Sequence, residues 1–230
     1  MNGEKKSRFI VLDGLDGSGK ETQTGLLQQA LLAEGRQVRV FSYPRYGTPG
    51  AAAAEFYLRG GLGQRPEDTG AYAASVLFAV DRYLSYRTEW EELYQNGSSV
   101  ILANRFTTAN AVHHMSKLPR AEWDGFLSWL WELEFEKLAM PLPDLILYLE
   151  LPPQVACRMV EQRSSETGRK KDIHEMDAGY LSRCYEAALY ASDKLGWTLI
   201  RCEDGDRMRP RGEIHREIAE KVKACLPPAE

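Results

Sequence analysis

A glycine-rich loop lies near the start of the chain, where residues 14–20 read GLDGSGK. A short apolar run at residues 9–12 precedes it, and leucines with helical spacing follow it. In this setting backbone N–H groups converge on phosphate oxygens at a helix N-terminus, and the lysine places a positive charge on the β- and γ-phosphates of a nucleotide. An ordinary turn is the alternative. The residues predicted to surround the nucleotide phosphates are Gly14, Asp16, Gly17, Ser18, Gly19, Lys20, Glu21 and Thr22.

Two arginines follow later apolar runs. Arg45 comes just after the run at residues 38–43, and Arg105 comes just after the run at residues 100–103. Ligands of parallel sheets bind at the carboxyl ends of the strands, so both arginines are candidate ligand-binding residues. Arginine suits this role because its planar fork matches phosphate oxygens. A solvated surface arginine is the alternative for Arg45.

The elements that must position these residues alternate along the chain. Short segments rich in apolar residues at residues 9–12, 38–43, 100–103, 145–151 and 198–202 predict strands. Segments with helical spacing at residues 20–34, 69–94, 120–139, 153–162, 177–195 and 211–225 predict helices. This alternation predicts an α/β fold with a parallel sheet, as one domain over residues 1–230. Trp123, Trp129 and Trp131 are expected in the core, and the polar stretch at residues 164–172 is expected to be a mobile surface loop.

Composition excludes several classes of function. The chain has 230 residues, 43% hydrophobic and 27% charged, with a formal net charge of −4. This charge gives no global attraction to nucleic acid, and no apolar run approaches the roughly 20 residues of a membrane span. The four cysteines have no CxxC spacing, which argues against a zinc site or redox pair. The start of the chain does not read as a signal peptide, so a cytoplasmic protein is expected.

Several motifs, in order, resemble those of the thymidylate kinase family. They are DGLDGSGKETQ, YPRYG, VLFAVDRY, ILANRF and PDLILYLEL, and the resemblance extends over almost the whole chain. It implies a three-layer P-loop NTPase fold, with a five-stranded parallel sheet flanked by helices and a lid at about residues 163–175. It also implies a homodimer that transfers the γ-phosphate of ATP to thymidylate (dTMP) with Mg²⁺.

The resemblance assigns roles to particular residues. Asp16 would face the acceptor sugar, while Arg45 and Arg105 would bind the acceptor phosphate. Phe78 and Arg82, four apart on one predicted helix, would stack on a pyrimidine and donate to its carbonyl; otherwise Phe78 is core and Arg82 a solvated charge. The residues predicted to act in catalysis are Lys20, Arg105 and the lid residues Arg163 and Arg169, with Lys170 as another lid cation. His113 and His114 are expected on a solvated helix surface and receive no role.

The pattern departs from the family at three positions. Glu21 stands where the family has Ser or Thr for Mg²⁺, Asn104 replaces Asp, and Ala109 replaces Ser. Glu21 is predicted to hold Mg²⁺ together with Asp13, helped by Thr22, because Mg²⁺ keeps several waters and needs few protein ligands. The alternative is that the Glu21 carboxylate repels the phosphates.

These departures leave rival functions open. A kinase for another deoxynucleoside monophosphate is one, and a nucleotide-binding sensor without phosphoryl transfer is another. A GTP-binding switch is disfavoured because the sequence has no NKxD motif.

Overall fold

The centre of the fold is a five-stranded parallel sheet. The computed structural model describes residues 6–167, 174, 178–205 and 207–227. The strands are β1 (Arg8–Gly14), β2 (Gln37–Ser42), β3 (Ser99–Asn104), β4 (Leu145–Glu150) and β5 (Thr198–Arg201). They lie in the order β2-β3-β1-β4-β5, and every pairing is parallel. All five predicted strands and their parallel arrangement are confirmed.

The register brings the ends of three strands together. Leu12 of β1 and Ser42 of β2 both pair with Asn104 of β3. The chain leaves each strand at this edge, so the glycine-rich loop, the segment carrying Arg45 and the segment carrying Arg105 begin side by side. This is the edge at which parallel sheets bind ligands.

Helices cover both faces of the sheet. They are α1 (Lys20–Ala33), α2 (Ala52–Leu58), α3 (Ala71–Ser85), α4 (Glu91–Gln95), α5 (Thr108–His113), α6 (Trp123–Trp131), α7 (Pro153–Thr167), α8 (Ala178–Leu195) and α9 (Arg211–Cys225). Two strands of two residues each form a small hairpin, β6 (Glu203–Asp204) and β7 (Arg207–Met208). No helix in the described ranges is both long and apolar enough to cross a lipid bilayer.

The alternation of side chains along β1 divides the core into two layers. Ile10 and Leu12 face the larger apolar cluster, which includes residues of α1, α5, α6, α8 and α9. Phe9 and Val11 face a second, aromatic cluster with Trp90. All four of these β1 side chains are fully buried, as expected for a strand covered on both faces. Together with the sheet, these layers give the predicted three-layer α/β architecture.

Several predicted boundaries are wrong. The helix predicted at residues 69–94 is interrupted by a π-helical segment, Tyr86–Trp90, and the one predicted at 120–139 contains another, Glu132–Lys137. The loop predicted at residues 164–172 is wrong over its first four residues, because α7 continues to Thr167. Its remainder, residues 168–172, lies outside the described residues. Trp131 is 43% exposed, so its assignment to the core is also wrong. Neither α2 nor α5 was predicted.

Candidate active site

A cavity of about 720 Å³ opens at the carboxyl edge of the sheet. The glycine-rich loop lines one part of it, and the ends of β2 and β3 with residues of α3, α5 and α7 line much of the rest. A cavity of this size can hold a ligand as large as a nucleotide. The candidate residues that line it are Asp16, Gly17, Gly19, Lys20, Glu21, Thr22, Phe78, Arg82, Asn104, Arg105 and Ala109.

The glycine-rich loop has the geometry of a phosphate cradle. Gly17 and Gly19 adopt left-handed φ angles of 87° and 86°, which glycine accepts without strain. No side chain caps α1, so the first N–H groups of the helix are left for an anion in the cavity. Lys20 Nζ donates to the carbonyls of Gly14 (2.8 Å) and Leu15 (2.9 Å), which hold the ammonium group across the loop. Of the other predicted residues, Gly14 and Ser18 do not line the cavity, and Ser18 is fully buried.

Arg105 reaches the same cavity from the end of β3. Its φ of 67° turns the chain away from the strand, and its Nη2 donates to Asp16 Oδ1 at 2.6 Å. Burial by itself would raise the pKa of Asp16, but the charges of Arg105 and Lys20 hold it well below its usual value. The Asp16 carboxylate is therefore ionised and paired with the arginine.

The predicted base-binding pair also lies in the cavity wall. Arg82 is 1% exposed and is neutralised by Glu134, whose side chain is fully buried. Its Nε donates to one carboxylate oxygen at 3.3 Å and its Nη2 donates to the other. The Phe78 ring lies 5.1 Å from the ring of His114. The alternative of a solvated charge at Arg82 is therefore wrong, while its role in base binding stays a prediction.

Arg45 is the candidate that the structure does not bring into the cavity lining. Its neighbours Pro44 and Tyr46 line the cavity, but Arg45 does not. Arg45 Nε donates to Asp81 Oδ1 at 2.9 Å, and its Nη1 pairs with Glu89. An anion would have to compete with these carboxylates for the guanidinium.

The two predicted metal ligands are placed differently. Glu21 is exposed and lines the cavity. Asp13 is buried outside the lining, and its two oxygens accept hydrogen bonds from the Gly14 N–H (2.7 Å) and Thr108 Oγ1 (2.5 Å). Asn104 lines the cavity, and its Oδ1 is buried with no hydrogen-bond partner. No group of three histidine, cysteine or acidic side chains within the described ranges is arranged to hold a metal ion.

The sequence reasoning missed a histidine cluster in the wall of the cavity. His113, His114 and His174 all line it, with exposures of 3%, 2% and 4%. The predicted solvated surface for His113 and His114 is therefore wrong. Their apolar neighbours Val112 and Met115, both buried, were the signal for a buried helix face.

Asn110 was missed as well. It lines the cavity and is 1% exposed. Its Nδ2 donates to the Ser75 carbonyl at 3.2 Å, while its Oδ1 has no hydrogen-bond partner. A buried acceptor of this kind is costly unless a ligand supplies the donor.

Most of the predicted lid lies outside the residues that the structure describes. Arg163 is on α7, but its side chain is outside the described residues, as are Arg169 and Lys170. The described part of α7 packs against the glycine-rich loop. A Cβ added to Gly17 would lie 2.7 Å from the Ala156 carbonyl oxygen, and Met159 lines the cavity.

The sheet order and the glycine-rich loop between β1 and α1 define a P-loop α/β protein with a nucleotide-sized cavity. The family model described as thymidylate kinase matches residues 12–205. The chain therefore belongs to the thymidylate kinase family.

Individual relatives agree with this assignment. The thymidylate kinase of Mycobacterium tuberculosis is 32% identical over 186 residues, which cover 80% of this chain and 84% of that protein. The thymidylate kinase of a Synechococcus species is 28% identical over 96% of this chain and 98% of its own. A solved structure of thymidylate kinase from Candida albicans covers 95% of this chain and 92% of its own, with a TM-score of 0.68. Its sequence identity is 17%, so this likeness concerns the fold.

Proposed function

We propose that this chain is a working thymidylate kinase, which transfers the γ-phosphate of ATP to dTMP and yields ADP and dTDP. Membership of the family supports ATP-dependent phosphorylation of dTMP. The observation that carries the proposal is one shared cavity. The phosphate loop lines one side of it, and aromatic, arginine and amide side chains line the other. One cavity with both walls suits two nucleotides that meet end to end, because such a transfer depends mainly on positioning and charge.

The donor side of the cavity would hold the phosphates of ATP. The N–H groups at the start of α1 would bind their oxygens, and Lys20 would leave the loop carbonyls to contact the β- and γ-phosphates. Gly17 and Gly19 allow the backbone this close approach.

The acceptor side has groups that suit a thymine nucleotide. Phe78 provides an aromatic face for the pyrimidine ring, and Arg82 provides donors for a carbonyl oxygen. The partnerless Asn110 Oδ1 fits the ring N–H of thymine. Arg105, which is always charged, would bind the 5′-phosphate, and Asp16 would face the sugar. Arg45 would join the acceptor phosphate only after it exchanges a carboxylate partner.

Mg²⁺ fits the oxygen atoms at the mouth of the phosphate loop. The exposed Glu21 carboxylate and the partnerless Asn104 Oδ1 are both hard oxygen ligands that line the cavity. Asp13 would contribute to the metal site only indirectly, since both of its carboxylate oxygens already accept hydrogen bonds. When bound, Mg²⁺ neutralises charge on the β- and γ-phosphates.

The remaining features of the enzyme are also proposals. Residues 1–230 would form one kinase domain, in which residues 163–175 act as a lid that supplies Arg163 and Arg169 to the transferring phosphoryl group. A cytoplasmic location is supported by the four unpaired cysteines, which suit a reducing compartment. The partners would be small nucleotides.

We further propose a homodimer that forms through α3. Tyr72, Val76, Val80 and Leu84 recur every four residues on this helix and are 41%, 42%, 45% and 37% exposed. Residues at this spacing share one helix face, and an apolar face of this kind suits a second copy of the chain. Sedimentation of Val80→Glu should show a monomer. The matched control Leu32→Glu, at a 49% exposed position on α1, should sediment like the unmodified protein.

The activity is tested by mixing the protein with ATP, Mg²⁺ and each common nucleoside monophosphate, and by measuring ADP and the diphosphate. We expect rapid formation of dTDP that the Lys20→Ala variant loses. Turnover with another monophosphate but not with dTMP would support the same phosphoryl-transfer mechanism with a different acceptor. Nucleotide binding without any turnover would contradict the kinase proposal and favour a nucleotide-binding sensor.

A further inference from the structure

We infer that His113 is a positioning residue for Arg105, and that the ring of His174 holds His113 in place. The inference rests on the proposed function, in which Arg105 binds the acceptor phosphate. It links that arginine to His174, which lies between α7 and α8 in the sequence.

His113 contacts Arg105 directly. Arg105 Nη1 lies 3.1 Å from His113 Nε2, while Nη2 donates to Asp16. A guanidinium has no acceptor, so Nε2 must be the unprotonated nitrogen that accepts the hydrogen bond. Asp16 and His113 thus fix two nitrogens of the guanidinium, and its orientation follows from both.

His113 is held in its neutral form by its surroundings. Burial, followed by the nearby charge of Arg105, lowers the pKa of His113 to about 3. Lys20 and Lys117 act in the same direction, and the Asp16 carboxylate opposes them. The imidazole is therefore neutral at physiological pH and remains an acceptor, so the contact with Arg105 persists.

His113 is supported by a second buried histidine. The ring of His174 stacks on it, with centroids 5.2 Å apart and an angle of 13° between the planes. His174 Nε2 lies 2.7 Å from the Tyr57 hydroxyl, which also accepts from Lys117 Nζ at 2.8 Å. His174 is 4% exposed, so the stack is shielded from water. Removing the His174 ring would leave His113 without that support, so the Arg105 guanidinium would be held less firmly in its orientation.

The test compares two replacements of His113 by steady-state kinetics. His113→Gln keeps an acceptor atom near the position of Nε2, whereas His113→Phe keeps a ring for the stack but has no acceptor. Loss of a hydrogen bond to a charged group predicts that His113→Phe raises the KM for dTMP by about tenfold or more. The KM for ATP should not change. His113→Gln should recover most of the affinity, and the remote variant His215→Gln should match the unmodified protein.

The support from His174 is tested in the same assay. His174→Leu should raise the KM for dTMP, and His174→Phe, which keeps the stack, should raise it less. Adding His174→Leu to His113→Phe should give much less than the product of the two single effects, because both act through Arg105.

The outcomes separate the inference from the proposed function. A normal KM for dTMP in His113→Phe, or equal rises for ATP and dTMP, overturns the inference while the kinase activity stands. A lower melting temperature with normal KM values shows a purely structural role and overturns it as well. If the unmodified protein phosphorylates no monophosphate, the proposed function fails. Calorimetric binding of dTMP to the same variants then decides the role of His113.

Discussion

Lowering the pH from 7.5 to 5.5 should destabilise the folded protein by about 4 kcal/mol. His113, His114 and His174 are almost fully buried, and burial is the largest cause that lowers the pKa of each below the usual 6.5. The unfolded chain takes up protons near pH 6.5, while the folded chain does not. The stability that the three neutral histidines allow is therefore fully present above pH 6.5 and is lost as the pH falls below 6.5. At pH 5.5, one unit below the pKa of 6.5 in the unfolded chain, each histidine lowers the free energy of unfolding by about 1.4 kcal/mol. The three contributions sum to the predicted loss of about 4 kcal/mol.

Urea denaturation, followed by tryptophan fluorescence at both pH values, measures this loss. The variant His114→Phe should reduce the pH-dependent part by about a third, whatever it does to stability at pH 7.5. His215→Gln, which changes a less buried histidine on α9, is the control and should leave most of it. Equal free energies of unfolding at pH 7.5 and 5.5 would refute the reasoning, because they would require charged histidines in the fold.

Three further predictions concern pairing, packing and metal. Glu134→Gln leaves the buried Arg82 charge without its counter-ion, which should cost about 3 kcal/mol and lower the melting temperature by about 6–12 °C; the exposed Glu136→Gln should change it little. Gly17→Ala places a methyl group 2.7 Å from a carbonyl oxygen of α7 at a left-handed φ, so ATP affinity should fall sharply. Gly25→Ala, with open space around it, should be neutral or stabilising in thermal melts. Chelation of Mg²⁺ should stop turnover without changing the melting temperature of the nucleotide-free protein; a large shift would reveal a structural metal.

The sheet and the phosphate loop could be predicted because their signals are local. Each strand is a short segment in which apolar residues predominate or alternate with polar ones, and the loop, its strand and its helix are adjacent in sequence. The terminal helix α9 was predicted with its observed bounds for the same reason. The π-helical segments could not be predicted, since they keep a helical spacing of apolar residues and differ only in which backbone atoms pair.

The parts of the site that were missed depend on contacts between distant segments. Glu134 pairs with Arg82 across 52 positions, and Tyr57 meets His174 across 117. Nothing near Arg82 in sequence shows that its counter-ion will come from another helix. Arg45 illustrates the same limit, because its carboxylate partners Asp81 and Glu89 come from α3 and from the π-helical segment after it. Sequence indicated candidate side chains for the site, while their partners were fixed by tertiary packing.

The pairing of arginines with carboxylates has a consequence for the kinetics of association. Arg105 pairs with Asp16, Arg82 with Glu134 and Arg45 with Asp81, so these three cations are each balanced by an anion. An approaching dianionic nucleotide therefore meets little net field from these groups at long range. Binding should depend on short-range contacts, and its rate constant should vary little with ionic strength, unlike that of electrostatically steered enzymes. The site therefore selects its nucleotide through short-range contacts, not through a high association rate constant.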